Sequence, residues 1–246
     1  MGVVRERFRP DGSLSTEAME ALQRDIAEAA VLEDVLEVDA TDVRDGDALV
    51  AGVDQAFLED RAVSAVVVCE GETVVAREHA TTPLSIPYVP GLLAFREGEP
   101  VLAALERLDV APDVVLLDGS GRIHYREAGL ATHVGVCLDA PTVGVAKSLL
   151  CGTPSAPIDA LQEGERVPIE ADGEMTAPDG DVVGYAYQRR QYPDSTTVNP
   201  LYVSPGHRVS VETAVEIVAA AGGEYKLPRP IRLADRYADE VKAEQA

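Results

Sequence analysis

Residues 112–147 are PDVVLLDGSGRIHYREAGLATHVGVCLDAPTVGVAK. The apolar run DVVLL predicts a buried strand that ends at Asp118, and the glycine-rich DGSG after it predicts a turn. A mildly apolar helix is expected over residues 128–138, and TVGVA, which leads into Lys147, predicts another strand. This order of elements is typical of an α/β sheet with helices on its faces.

Upstream of this unit lie three short apolar runs separated by charged or glycine turns: ALVAGVDQAFL, AVSAVVVCEG and ETVVAREHA. They are rich in β-branched residues and predict an antiparallel meander. Before them, Met19 and Ile26 recur at helical spacing after a capping Ser15 or Thr16, which predicts a packing helix. The acidic residues 42–47 predict a loop.

The apolar spacing is less regular in the segment before residue 112 and in the segments after residue 147. A helix is predicted around Val101 and Leu105, with Pro100 in its first turn. Strands are predicted near 166–170 and at VVGYAYQRR and PLYVSPG. A last helix is expected from the cap Ser210 to the glycine pair 222–223.

We expect a single domain over residues 1–246, because one α/β domain of this length is common. Within it we predict an N-terminal helix and acidic loop over 1–47 and a core over 48–222. Residues 223–246 form a C-terminal tail in this prediction, polar and frayed beyond Pro230.

The charge is unusual, with 43 acidic against 21 basic side chains, a net charge of -22 and lysine only at 147, 226 and 242. Such a balance argues against generic affinity for nucleic acid, which normally rests on basic patches. Acidic residues spread along the whole chain predict a halophilic source, since molar salt shortens the Debye length to about 3 Å.

No apolar run approaches the roughly 20 uncharged residues that a membrane span needs, and the start MGVVRERFRP lacks a secretory signal. We therefore expect a cytoplasmic protein without membrane contact, and a monomer. The three cysteines, Cys69, Cys137 and Cys151, are widely spaced and odd in number, which favours small buried hydrophobes over a disulfide framework or a zinc site.

Three acids interrupt segments suited to burial: Asp54 in VAGVDQAF, Glu97 after LLAFR, and Asp118 at the end of DVVLL. A buried carboxylate is costly unless a cation or hydrogen bonds compensate it. Carboxylate clusters hold Mg²⁺ ions that activate water for phosphodiester hydrolysis. For any one of these residues alone, an Asp or Glu that begins a turn is an equally good explanation.

Three basic residues lie beside the ends of predicted elements, Lys147 after a strand and His207 and Arg208 before a helix. Lys147 follows TVGVA, where its ammonium could hold a phosphate, although a solvent-exposed lysine is the simpler explanation. His207 and Arg208 precede a predicted helix start, which favours anions, but a structural histidine fits the same position.

The segment PYVPG, residues 87–91, is a stiff loop that carries one aromatic ring, Tyr88. Such a loop can insert a ring between base steps, while Gly119 and Gly121 allow close approach of backbone to a flat ligand. Prolines beside a tyrosine also form ordinary turns.

Five stretches in order resemble the endonuclease V family of deoxyinosine-specific nucleases: VAGVDQAF, PYVPGLLAFRE, PDVVLLDGSGRIHYREAGLATHVG, APTVGVAKSLLCG and NPLYVSPGHRVS. They cover most of residues 51–220. The resemblance implies an RNase H-like fold, a mixed sheet flanked by helices, with Mg²⁺ as cofactor and Mn²⁺ as a substitute. It implies hydrolysis of the second phosphodiester bond 3′ to deoxyinosine in single- or double-stranded DNA, which leaves a nick.

Residue by residue, the resemblance implies that Asp54 and Asp118 bind metal and that Glu97 is the third acidic member of the site. His207 matches a catalytic-site histidine and Lys147 a phosphate-contacting lysine. The DNA-binding positions implied are the wedge Tyr88 with its loop and the residues of the inosine pocket: Tyr88, Pro90, Gly91, Leu93, Gly119, Gly121 and His124.

Two features depart from the family pattern. Ser120 stands between the two glycines where many members carry His or Asn. The acidity leaves a few arginines as candidate strand contacts, unless they pair with surface acids: Arg122, Arg126, Arg189, Arg190 and Arg208. Alternative functions are an inosine-specific endoribonuclease, a non-catalytic hypoxanthine-binding module and a nucleotide phosphatase on a related fold.

Overall fold

A computed structural model describes residues 1–193 and 195–245. Its centre is one nine-stranded sheet in the order β3-β2-β1-β4-β5-β9-β8-β7-β6. The strands are β1 (Leu49–Phe57), β2 (Arg61–Glu70), β3 (Thr73–Pro83), β4 (Val114–Asp118), β5 (Thr142–Ala146), β6 (Thr153–Pro154), β7 (Arg166–Glu170), β8 (Val182–Tyr187) and β9 (Leu201–His207).

The sheet is mixed. β1, β2 and β3 form the antiparallel meander expected from their apolar runs. β4 pairs parallel with both β1 and β5, which makes a parallel centre. β9 then pairs antiparallel with β5, and β8 and β7 continue antiparallel from it.

Helices cover both faces of the sheet: α1 (Thr16–Ala29), α2 (Ala40–Asp45), α3 (Leu93–Leu105), α4 (Leu130–Leu138), α5 (Val211–Ala220) and α6 (Arg229–Gln245). One core joins α1, α3 and α4 to inward residues such as Val53 and Leu117. The other joins α2, α5 and α6 to the opposite face, through residues such as Val50 and Leu116. The predicted α/β class, a mixed sheet flanked by helices, is confirmed.

Several local predictions are confirmed as well. Ser15 caps α1 through its side chain, which accepts a hydrogen bond from the Ala18 amide, and Ser210 caps α5 in the same way from Thr213. The strand, turn, helix and strand of residues 112–147 are present as β4, α4 and β5. All three cysteines are buried and free.

The acidic segment 42–47 was predicted to be a loop, but its first part lies in α2. The reason is a capping box: Asp39 accepts from the amides of Thr41 and Asp42, and Asp42 accepts from the Asp39 amide. These bonds satisfy donors that a helix start otherwise leaves free. Gly46, in the left-handed conformation at φ 85°, then ends the helix.

The helix around Val101 begins earlier than predicted. α3 starts at Leu93, so Pro100 lies inside the helix rather than in its first turn, and Glu97 is helical. A proline inside a helix loses its own amide hydrogen bond and crowds the carbonyl four residues earlier, and buried neighbours on both sides of Pro100 hold the helix against this cost.

The prediction of a frayed tail beyond Pro230 is wrong. α6 occupies Arg229–Gln245 and packs against β1 and β2 through buried Ile231, Ala234, Ala238 and Val241. The close approach depends on Gly52, where a Cβ would lie 2.0 Å from the Pro230 carbonyl carbon. Within the described residues, no helix is both long and apolar enough to cross a bilayer.

Candidate active site

The fold brings Asp54 and Asp118 to adjacent positions on neighbouring strands. Val53 of β1 pairs with Leu117 of β4 in parallel register, so the next residue of each strand is an aspartate at the same level. Asp118 is the last residue of β4. The carboxyl ends of the parallel centre of the sheet therefore carry two acids side by side.

Asp54 is a buried carboxyl group whose second oxygen has no partner. Its Oδ1 accepts from the Gln55 amide at 2.7 Å, while Oδ2 is buried without a hydrogen bond. Burial and the negative charge of Asp118 raise the pKa of Asp54 to about 8. An orphaned buried oxygen beside a second carboxylate is a donor set that fits a hard divalent cation.

Lys147 contacts this pair from the end of β5. Its Nζ donates to Asp118 Oδ2, and its side chain is half exposed. Burial lowers the pKa of Lys147, but Asp118, Asp54 and Asp235 more than offset this and raise it. The ammonium thus stays charged and partly open to solvent, beside two carboxylates.

Glu97 approaches from α3. The Gln55 side chain donates to the Glu97 carbonyl at 2.8 Å, which ties this helix to the strand that carries Asp54. Burial raises the pKa of Glu97 to about 7, with Asp118 adding to the shift and Arg96 opposing it. Glu97 therefore shares the electrostatic environment of the aspartate pair.

Within residues 1–193 and 195–245, no three or more His, Cys, Asp and Glu side chains are arranged to hold a metal ion as they stand. The fold does bring Asp54 and Asp118 next to each other, and Lys147 contacts Asp118.

Tyr88 lies in an exposed loop that is anchored from below. Its ring is 65% exposed, and Pro90 is exposed as well. The Gly91 carbonyl accepts from Gln23 Nε2 at 2.9 Å, His124 Nε2 at 3.0 Å and Arg126 Nη2 at 3.2 Å. Three donors on one carbonyl oxygen fix the base of the loop and leave the ring free.

His124 belongs to this anchor. It is 3% exposed, and its Nδ1 accepts from the Arg126 amide at 3.2 Å. Burial, helped by the charge of Arg126, lowers its pKa to about 4. The ring is neutral near pH 7, donates through Nε2, and positions the loop of Tyr88.

The glycine-rich turn after Asp118 is tightly packed. Gly119 has φ 154°, and a Cβ there would lie 3.2 Å from the Leu130 side chain. At Gly121 a Cβ would lie 2.2 Å from the Pro205 carbonyl oxygen, and its amide donates to Ser204 Oγ at 2.9 Å. The backbone at both positions thus requires glycine. Leu93, partly buried, begins α3.

His207 is not brought to the carboxylates. It pairs with Thr142 at the start of β5, whereas Asp118 pairs with Val145 near its end, a separation of about 10 Å along the strand. It is 0% exposed. Its Nδ1 accepts from the Val31 amide at 3.1 Å and its Nε2 lies 3.0 Å from Asp139 Oδ1. Both ring nitrogens therefore have structural partners.

His207→Ala is expected to lower stability by about 1 to 3 kcal/mol, because the buried Val31 amide loses its acceptor. Activity per folded molecule should stay within about tenfold of the parent. Thermal melting and single-turnover nicking of folded protein measure the two effects. A loss of turnover with unchanged melting temperature would instead support the catalytic role that the sequence resemblance implies.

The five arginines predicted to be candidate strand contacts are already engaged. Arg122 pairs with Glu127, Arg126 with Glu20 and Arg208 with Asp139. Arg190 pairs with Glu163, and Arg189 donates to backbone carbonyls, that of Tyr225 among them. Pairing with local acids, the alternative left open from the sequence, is thus present for four of the five, and Arg189 is held by backbone carbonyls instead.

Two further charged residues at the site were missed from the sequence. Asp235 on α6 raises the pKa of Lys147. It follows Ala234, which packs on β2, and precedes Ala238, which packs against Ala56 of β1. Lys226 is the second: burial lowers its pKa, and so does the charge of Lys147, while Asp118 opposes. The scarcity of lysine was the available signal, since Lys147 contacts Asp118 and Lys226 is near enough for the charges of both to affect its pKa.

A mixed α/β sheet that carries paired carboxylates at the ends of its central strands, with a lysine against them, is an arrangement with which metal-dependent phosphodiester hydrolases hold their ions. The family model for endonuclease V matches residues 33–236. This chain belongs to the endonuclease V family, and is thus a nuclease that acts on DNA.

The similarity to one known relative extends over nearly the full length of this chain. Endonuclease V of Natronomonas pharaonis is 69% identical over 243 residues, 99% of this chain and 98% of the relative. That organism is a halophilic archaeon, the kind of source that the acidic composition predicts.

Two solved structures are informative. The crystal structure of endonuclease V from Streptomyces avermitilis has a TM-score of 0.80 and 33% identity, covering 100% of this chain and 99% of that one. Endonuclease V of Ciona intestinalis has a TM-score of 0.76 and 27% identity, with 94% and 98% covered. It was crystallised with a 24mer DNA containing an inosine followed by a ribo-adenosine.

Proposed function

We propose that this chain is a DNA repair endonuclease that hydrolyses the second phosphodiester bond 3′ to deoxyinosine and leaves a nick. The observation that carries the proposal is the partly buried pair Asp54 and Asp118, in which Asp54 Oδ2 is buried without a partner. Membership of the endonuclease V family and the inosine-containing DNA bound by the Ciona protein support the choice of lesion.

We propose that Asp54 and Asp118 hold Mg²⁺, which Mn²⁺ can replace because both prefer oxygen ligands. The ion supplies Lewis acidity and an activated water when bound. Asp54 Oδ2 and the Asp118 carboxylate are the oxygens available to it. Asp235, whose charge acts on Lys147, is a further candidate ligand.

In this proposal Glu97 transfers a proton and Lys147 binds a phosphate oxygen. A carboxyl with a pKa of about 7 can both accept and release a proton near neutral pH, so Glu97 is suited to general acid–base work. The Lys147 ammonium, half exposed beside Asp118, can turn toward a phosphate oxygen without leaving the site.

Base recognition requires the hypoxanthine to leave the stack, which costs a few kcal/mol and less at a weakened pair. We propose that Tyr88 fills the gap, and that the pocket for the extruded base is formed by the loop base, the first turn of α3 and the glycine turn: Pro90, Gly91, Leu93, Gly119 and Gly121, with His124 behind them. We further propose a monomer that acts in the cytoplasm, as one domain over 1–246 with its catalytic core over 48–222.

Tyr88→Ala is expected to reduce nicking of an inosine-containing duplex about 10- to 100-fold, because base–aromatic stacking contributes about 1 to 3 kcal/mol. Nicking of the same sequence as a single strand should fall less, since no partner strand must be separated. Melting temperature should not change, because the ring is 65% exposed. Tyr88→Phe, which keeps the ring, is the matched control and should nick the duplex as the parent does.

A nicking assay in molar KCl tests the proposed function. DNA with one deoxyinosine, the same DNA with deoxyadenosine, and a matched inosine-containing RNA are compared with Mg²⁺, with Mn²⁺ and with EDTA. We expect one nick, 3′ to deoxyinosine, that EDTA abolishes. Binding without cleavage would indicate a recognition module, and phosphate release from free nucleotides would indicate a phosphatase; either outcome overturns the proposal.

The RNA arm matters because the Ciona ligand carries a ribonucleotide directly after the inosine. A DNA strand with one ribo-adenosine 3′ to deoxyinosine separates the two substrates. Equal rates with and without the 2′-hydroxyl support the DNA enzyme. Cleavage that requires the 2′-hydroxyl would assign this chain as an inosine-specific endoribonuclease.

A further inference from the structure

The cavity at the start of α6 contains four arginines that have no acidic partner. It measures about 580 Å³ and lies between α6, the segment 220–227, α2 and the β2–β3 turn. Arg44, Arg229, Arg232 and Arg236 line it, with the exposed acids Glu72 and Glu224 at its rim. No described carboxylate lies within salt-bridge distance of these arginines.

Half of the described arginines have no carboxylate within salt-bridge distance, and four of these line this one cavity. On the opposite face of the sheet, Arg9 bonds Glu99 and Glu106, and Arg126 bonds Glu20. Within the cavity, Arg229 donates to the Glu72 carbonyl at 2.7 Å, and its Nε is buried without a partner. Concentrated unpaired guanidinium groups create a local positive potential that attracts phosphate.

The arginines form a stripe rather than a single point. Arg229, Arg232 and Arg236 are three and four residues apart and so share one face of α6. Arg77 extends the stripe in an adjoining cavity of about 390 Å³, which Arg236 also lines. From Arg229 to Arg236 the helix rises about 10 Å, which is close to three nucleotide steps of one strand at about 3.4 Å of rise each.

The stripe continues toward the carboxylates. Lys226 donates to Asn199 at 2.6 Å, and Asn199 lies just before β9, whose Tyr202 pairs with Ala146 beside Lys147. Tyr225, which precedes Lys226, is 46% exposed. The Arg232 guanidinium stacks on its ring, 3.4 Å from the ring centre. Residues 225 and 226 thus connect the cavity to the strand that pairs beside Lys147.

We propose that this arginine cavity binds the backbone phosphates of the DNA strand that flanks the nicked bond. The inference rests on the proposed function for the orientation of the strand, but phosphate binding itself does not require cleavage. In a chain with a net charge of -22, it supplies the basic surface that phosphate binding needs and that the paired arginines near the glycine turn cannot supply.

The test is the salt dependence of duplex binding by Arg232→Gln/Arg236→Gln, measured by fluorescence anisotropy without divalent cations in 0.5 to 2 M KCl. We expect the slope of log affinity against log salt to fall in magnitude by about 2, at about 0.9 for each lost phosphate contact. Arg232→Lys/Arg236→Lys should retain most of the slope. The matched control Arg7→Gln/Arg24→Gln removes the same charge near and on α1, on the opposite face, and should leave the slope unchanged.

Duplexes extended on only the 5′ or only the 3′ side of the inosine locate the contact, and the variant should differ from the parent on one of them. A parental slope in the glutamine variant, or an equal loss in the control, overturns the proposal. The proposal is also overturned if inorganic phosphate stabilises the parent but not the arginine variant, while both bind the duplex equally. That result would assign the cavity as a site for small anions. If the parent does not nick DNA that contains deoxyinosine, the proposed function is wrong. The binding experiment still tests the arginine cavity in that case, because it does not require cleavage.

Discussion

Asp54→Asn is expected to abolish nicking and to raise the melting temperature of the protein in EDTA. The catalytic loss should reach about 10³-fold or more, because a bound metal contributes several kcal/mol to the transition state and each 1.36 kcal/mol is tenfold in rate. The stability gain, about 2 kcal/mol or roughly 5 °C, arises because a neutral amide replaces a buried, unpartnered carboxylate beside Asp118.

The pKa of Asp54 sets the pH dependence of this gain. Because the folded-state pKa is about 8, well above that of the unfolded chain, the folded protein binds the extra proton between these values. The stability that this group contributes is fully present below about pH 4 and is lost as pH rises through 8. The slope approaches about 1.4 kcal/mol per pH unit for one proton, and Asp54→Asn should remove it.

Melting in molar KCl with EDTA at pH 6 and pH 8.5 measures this difference. Added Mg²⁺ should stabilise the parent more at the higher pH, because metal binding requires ionised carboxylates, and should not stabilise the variant. Asp60→Asn is the control: that side chain is 82% exposed at the same end of β1 and β2, so neither activity nor melting should change. Parental nicking by Asp54→Asn would remove Asp54 from the metal site.

Where the sequence predicted correctly, the cause was local. Asp54 and Asp118 each interrupt an apolar strand, and parallel pairing of those strands is enough to set the two acids side by side. The cap residues Ser15 and Ser210 act on amides three residues away. Such features depend on a few neighbouring residues and can therefore be predicted without knowledge of the tertiary structure.

What the sequence did not predict depends on distant partners. α6 buries Pro230, Ile231, Ala234, Ala238 and Val241 on one face. Its other positions are so rich in charge that the stretch as a whole is polar, and this one-sided apolar spacing was overlooked. Its burial depends on Gly52, far away in the chain. Asp235 was missed together with its helix. His207 has a partner in Asp139, the left-handed C-cap of α4, which spacing alone could not indicate.

Lowering KCl from 2 M to 0.1 M is expected to reduce the melting temperature by roughly 10 °C. The net charge is -22, and at about 0.2 kcal/mol for each uncompensated charge the repulsion released by weak screening is about 4 kcal/mol. For a chain of this size each kcal/mol corresponds to about 2 to 4 °C. The Debye length grows from below 3 Å to about 10 Å over this range, so acids that are not in contact begin to repel.

Melting by circular dichroism across the KCl series measures the effect. Sucrose in 0.1 M KCl is the control, because it is excluded from protein surfaces but screens no charge; it should recover only a small part of the loss. A melting temperature that is the same at both salt concentrations would mean that the acidic surface is not an adaptation to salt.

Salt should act on nicking in two opposing ways. It favours the folded state, since it screens the acidic surface, yet it weakens each contact between an arginine or lysine and a DNA phosphate. Activity against KCl should therefore pass through a maximum, with the rising side set by folding and the falling side by DNA binding. Removing Arg232 and Arg236 should flatten only the falling side, because Arg236 is exposed and neither side chain pairs with an acid in the folded core. A rise in activity that continues to the highest salt would show that folding, not phosphate binding, limits this enzyme throughout.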